Sequence, residues 1–111
     1  MQPVRRMRQP DRVATYIVEH YLPGSSAAER SAAAEQVREA LDALARLGVV
    51  HRETVIVDDD ELCMHVFDAA DEASVAAAHA AAGLPFDRVV EIQVRSSAPR
   101  HGDRTPRPAN P

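Results

Sequence analysis

Apolar residues recur along this chain with two different periods, and the switches between them divide it into strands and helices. Val13 to Leu22 (VATYIVEHYL) is rich in β-branched and aromatic residues and short enough for a strand, which Pro23-Gly24-Ser25-Ser26 ends. A helix follows from about Ala27 to Leu47. Ser25 or Ser26 can cap it, and Glu29 completes a capping box if Ser26 is the cap. Val37, Leu41, Leu44 and Leu47 recur at helical spacing, Ala33, Ala34 and Ala40 widen that face, and Gly48 stops it. Val49 to Val57 reads as a second strand, Asp58-Asp59-Asp60 as a tight connection, and Glu61 to Phe67 as a third strand. Asp71 opens a second helix that runs to about Ala82, where Gly83 and Pro85 terminate it, and Asp87 to Arg95 (DRVVEIQVR) is the last strand.

The order β-α-β-β-α-β predicts an α+β fold, a ferredoxin-like sandwich. Two right-handed crossovers surround a central hairpin, and a four-stranded antiparallel sheet carries both helices on one face. In the last strand, alternation predicts Val90, Ile92 and Val94 toward the helices. With the usual strand order 4-1-3-2, the open face collects Glu19, Tyr21, Cys63, His65, Glu91 and Gln93, with His51 and Glu53 at its edge. Ile17, Val55, Val57, Phe67 and Val89 interrupt that polar set. So mixed a surface predicts a covering partner, a homodimer formed through the open sheet face, or a cavity enclosed between two sheets.

At 111 residues the chain suits one domain, here Val13 to Arg95, flanked by a flexible basic tail over Met1 to Arg12 and a disordered Pro/Arg-rich tail over Ser96 to Pro111. With no Trp, two Phe and two Tyr, its core is light. The central segment carries six Arg against fifteen acidic residues, a net charge of −9 within a whole-chain charge of −4. An acidic body argues against nucleic acid as a partner, because phosphate contacts need a basic footprint. No apolar run of about 18 residues occurs, so no membrane span is expected. A single cysteine, Cys63, and a first segment without the apolar core of a secretion signal point to the cytoplasm.

Candidate chemistry rests on histidine. Four of five, His20, His51, His65 and His79, fall in or beside predicted elements rather than in the tails. Neutral imidazole suits nickel, copper, iron and zinc. No H-x-x-x-H or C-x-x-C spacing occurs, so a metal site must be assembled from separate elements. His20, at the end of the first strand, and His79, on the sheet-facing side of the second helix, form one candidate pair. Each also has an ordinary reading as a partly buried histidine bonded to backbone. His65 with Glu19 or Glu91 offers an acid–base pair for an enclosed substrate. Cys63 beside Glu19 is either a ligand or a small buried hydrophobe. Asp58 to Asp60 lack the ligand alternation and glycine of an EF-hand loop.

The segments YIVEH (Tyr16 to His20), LGVV (Leu47 to Val50) and HAAAGLPFDRVVEI (His79 to Ile92) resemble a family of small actinobacterial nickel-binding proteins. That resemblance covers Val13 to Arg95. It implies a ferredoxin-like fold, dimers, and nickel or in some members cobalt held by histidines. By it His79 matches a histidine near the end of the second helix, and His20 one in the first strand. Glu53 stands where the family often has histidine, His51 lies two residues earlier on the same side, and the family's third-strand cysteine falls near Cys63 or His65.

Together these expectations describe a cytoplasmic homodimer that binds a divalent transition metal, nickel first and cobalt or zinc after it. Its ligands would be His20 and His79 with Glu19, His51, Glu53 or His65, and its role storage or buffering rather than turnover. The alternatives are a small-molecule-binding protein or cofactor-free isomerase or cyclase of the dimeric α/β-barrel type, and a structural dimer without a site.

Overall fold

The computed structural model describes residues 13–95, a four-stranded antiparallel sheet with three helical segments. The elements are β1 (Ala14–Tyr21), α1 (Ala27–Glu39), α2 (Leu41–Arg46), β2 (Val50–Val57), β3 (Leu62–Ala69), α3 (Glu72–Ala81) and β4 (Arg88–Ile92). The strands lie in the order β2-β3-β1-β4, the expected ferredoxin-like arrangement read from its other edge. The two segments read as flexible tails lie outside the described residues.

Local signals act where the sequence places them. Ser26 caps α1 with a complete capping box: Glu29 N–H donates to Ser26 Oγ at 3.1 Å and Ser26 N–H to Glu29 Oε1 at 2.7 Å. Asp71 caps α3 by accepting from Ser74 N–H at 2.8 Å. Gly48 and Gly83 follow the helices at φ +84 and +71, the left-handed conformation in which glycine has no Cβ to clash. The expected single helix from Ala27 to Leu47 is interrupted. Ala40 leaves helical geometry at φ −100, ψ 3, and the chain restarts as α2. The break turns Leu44 into the core, while Leu47, expected on the same apolar face, is 52% exposed.

Helices cover one face only. There Tyr16 and Val18 of β1 and Phe67 and Ala69 of β3 pack with Val37, Leu44, Val49, Val75, Ala78 and Leu84. Pairing then fixes the side of every other strand residue, since directly opposed residues share a face. Val18 opposes both His65 and Val89, and His20 opposes Cys63, so Cys63, His65, Phe67 and Val89 all point toward the helices. This corrects the expected open-face set. The reason is chemical: β3 is apolar at both parities and nearly all its residues are buried, so alternation gave no direction. β4 is reversed too, since Val89 and Val90 make both of its sides apolar. Val90 and Ile92 oppose Ile17 and Thr15 on the open face, and Val94 lies beyond the strand, 61% exposed.

Candidate metal centre

Beneath the helices the histidines converge. β3 places His65 at its centre, 2% exposed, and α3 lays His79 over the sheet, 1% exposed. Phe67 stands between the rings. Its centroid is 5.4 Å from that of His51, 6.4 Å from His65 and 5.1 Å from His79, with Phe86 closing the far side of His79 at 5.6 Å.

His51 reaches this layer because of a β-bulge. Between His51 and Glu53 the β2–β3 ladder slips by one residue, so His51 opposes Phe67 while Glu53 opposes Val66. His51 therefore faces the helices and Glu53 the other side. The two are not together, as plain alternation would have had them. Thr54, opposite His65, occupies the space between the rings: its Oγ1 lies 2.9 Å from His51 Nε2 and 2.9 Å from His65 Nδ1. A cleft of about 410 Å³ opens beside them, lined by Arg38 and Leu41 from the helical side and by His51, Thr54 and Ile56 from β2.

Electrostatics keep these rings uncharged. Burial, and then the neighbouring His51, His79 and His20, push His65 down to about 4. His79 is lowered by burial, against the opposing effect of its bond to the Val75 backbone. His51 is lowered mainly by burial too. Neutral imidazoles offer lone pairs, the form in which histidine binds metal.

In His79 that lone pair can be located. Nδ1 lies 2.9 Å from the Val75 carbonyl oxygen, which only accepts, so Nδ1 carries the proton and Nε2 is bare. Among the described residues, His79 Nε2 is the one buried side-chain nitrogen or oxygen without a hydrogen-bond partner. A metal-binding histidine has this arrangement, its distal N–H held by a backbone carbonyl.

The remaining sequence candidates separate. His20 lies on the helix face at the end of β1, near enough to His65 to depress its protonation. Glu19 is on the opposite face against Met64, where Arg88 Nε donates to its Oε1 at 2.8 Å and Tyr21 Oη donates to the same oxygen at 3.1 Å. The Arg88 hydrogen bond holds the Glu19 carboxyl below the usual range. Glu53 is exposed on that same face. The proposed His65–Glu19 pair is thus divided by the sheet, and Thr54 takes the place of a carboxylate at the ring. The cysteine opposes His20 rather than Glu19; its Sγ donates to the Arg30 carbonyl at 3.4 Å, and burial pushes the thiol up, away from the thiolate. Among the described residues, no three His, Cys, Asp or Glu side chains come together as a ready-made metal cage. Thr54 was missed in the sequence because its role depends on the cross-strand pairing and on the bulge, neither of which leaves a local signature.

Comparison with known proteins agrees with this architecture. The crystal structure of SCO4226 from Streptomyces coelicolor A3(2) superposes with a TM-score of 0.58 at 14% identity, covering 75% of this chain and 100% of that one. At that identity the likeness speaks for the fold. No curated protein matches the chain. The family described as nickel responsive protein SCO4226-like matches residues 16–92, which run from β1 to the last residue of β4, and the chain belongs to that family.

Proposed function

We propose that this protein binds a divalent transition-metal ion, nickel before cobalt or zinc, through imidazoles held between sheet and helices. The observation that carries this reading is His79 Nε2: a buried, unpartnered lone pair whose ring is oriented by the Val75 carbonyl. Leaving such an atom unsatisfied costs about 1–3 kcal/mol, a cost that a bound cation removes. Nitrogen donors of this borderline kind match nickel better than calcium or magnesium, which take oxygen. The family's nickel-responsive description supports the same choice.

In this reading His79 and His65 are the inner ligands, and His20 and His51 flank them. Because no three-ligand group is preassembled among the described residues, water completes the coordination. Glu19 and Glu53, on the other side of the sheet, are left out. The metal is held rather than used for turnover, which fits storage or buffering in the cytoplasm. Among the described residues no helix is long and apolar enough to cross a membrane.

A homodimer through the open sheet face belongs to the same proposal. Ile17 and Met64 lie on the two central strands of that face, with Val90 and Ile92 on one edge strand and Val55, 38% exposed, on the other. A second sheet would cover them, leaving the Glu19–Arg88 and Thr15–Asp68 contacts as polar surroundings.

Calorimetry of tag-free protein with Ni²⁺ and Zn²⁺ tests the metal reading. Saturable uptake lost in His79→Ala and weakened in His65→Ala is expected. Absence of uptake, or uptake indifferent to both substitutions, defeats it.

A further inference from the structure

The cleft beside His51 lies between a helix and an edge strand that leave space between them. Ser31, Ala34, Glu35 and Arg38 fall at i, i+3, i+4 and i+7 of α1, so they form one stripe of that helix along the cleft. Across from them His51, Thr54 and Ile56 of β2 oppose Phe67, His65 and Cys63, and therefore stand on the helix side of the sheet. Ser31 and Ala34 are the small side chains of the stripe. Ile56 is left 37% exposed, and about 410 Å³ stays open between helix and strand. That volume falls within the roughly 300–1,000 Å³ of small-molecule sites.

The lining divides by chemistry. Ala34, Leu41 and Ile56 are apolar. Thr54 Oγ1 lies 2.9 Å from a nitrogen of His51 and 2.9 Å from one of His65, so the strand side directs its polarity inward. The full charges belong to the helix side. There Arg38 Nε is 3.9 Å from Glu35 Oε2, a loose contact between side chains 77% and 60% exposed, which solvent screens. Among the described residues, Nη1 and Nη2 of Arg38 make no hydrogen bond, so the edge of the guanidinium that matches a carboxylate is free.

Opposite charges side by side against an apolar cleft complement a molecule that carries both charges on one carbon with an apolar group attached. We propose that the cleft binds an α-amino acid with an apolar side chain: Arg38 pairs with its carboxylate, Glu35 with its ammonium, and its side chain lies among Ala34, Leu41 and Ile56. A simple carboxylic acid would meet the like charge of Glu35, and a simple amine that of Arg38. Polyanions are opposed further by the acidic body of the chain. The site stands apart from the metal reading, since neither charged group is among the imidazoles that reading uses.

Titration of L-leucine into ¹⁵N-labelled, metal-free protein tests the proposal. Amide resonances of Ala34, His51 and Ile56 should shift and saturate, with a dissociation constant on the order of a millimolar or tighter. Arg38→Gln and Glu35→Gln should each weaken binding roughly tenfold. Ala34→Leu, which fills the cleft from the helix side, should abolish it while circular dichroism shows the fold retained. Isocaproate and isoamylamine keep the apolar chain with one charge each, and both should bind at least about tenfold more weakly than leucine. The absence of a saturable shift at these positions overturns the proposal. So does either single-charge analogue binding as tightly as leucine, or binding unchanged in both Arg38→Gln and Glu35→Gln.

Discussion

The ring of Phe67 meets that of His79 edge to face, with centroids 5.1 Å apart and planes inclined at 85°. This contact locks α3 to the centre of the sheet, and the same phenyl ring touches His51 and His65. Phe67 is fully buried. Phe67→Ala is expected to cost about 3–5 kcal/mol in urea unfolding, because it removes a fully buried ring from among three histidine rings and the core and leaves a cavity. Phe67→Leu, closer in size, should cost less and keep dispersed histidine resonances.

Acid should destabilise the fold across a defined window. The folded His65 sits near 4, whereas an unfolded histidine titrates near its ordinary 6.5. Between those values the unfolded chain binds the proton that the folded chain refuses. The contribution is therefore fully present above about pH 6.5, is lost as pH falls toward 4, and changes no further below that. Its size is on the order of 3 kcal/mol, and His79, lowered for the same cause, adds in the same direction. Urea titrations at about pH 7 and about pH 5 measure it. His65→Gln should flatten the difference.

Little of the histidine layer was legible in the sequence, although nearly all of the fold was. Strand and helix order, the Ser26–Glu29 box and the Gly48 and Gly83 stops are local signals, each readable within a few residues. Which way His65 points is not local. Leu62, Met64 and Val66 are as apolar as Cys63 and Phe67, which share the side of His65, and only the pairing of Val18 with His65 shows the direction. Glu19 and Glu53 looked like partners because their chemistry suited the histidines, while the sheet placed its own thickness between them. The break at Ala40 was hidden because alanine is the strongest helix former and carries no stop signal, and here packing of Ala40 against the core accompanies the break instead.

Arg30 gives a third test. Its side chain is nearly buried, with Nε donating to Asp58 Oδ1 at 2.9 Å and Nη1 to the Ser25 carbonyl at 2.6 Å and Ser25 Oγ at 2.9 Å. These bonds fasten the first turn of α1 to the β2–β3 hairpin. Arg30→Met should cost about 2 kcal/mol in chemical denaturation, and Arg30→Lys should not recover it, since an ammonium cannot span both partners. Asp58→Asn should lose under about 1 kcal/mol, because that carboxylate is 61% exposed.

Charge placed on the open face tests the proposed dimer. Ile17→Lys puts an ammonium between Val66 and Val90, the residues that oppose it on either side. Sedimentation should show the wild type at twice the chain mass and the variant at one. Retained circular dichroism would establish that the subunit still folds. A monomeric wild type, or a dimer indifferent to the substitution, removes this face from the assembly.

The slip at Arg52 reaches further than its one residue. In an even strand, positions 51 and 54 point to opposite sides; here the extra residue sends Arg52 outward toward Asp68, at 3.6 Å, and lets His51 and Thr54 share the interior. Deletion or insertion of a single codon along this edge would therefore exchange which side chain neighbours the buried ring, with no substitution at all. Gain or loss of the contact between Thr54 and His65 is open to evolution by changes in length, which comparisons made residue by residue would overlook.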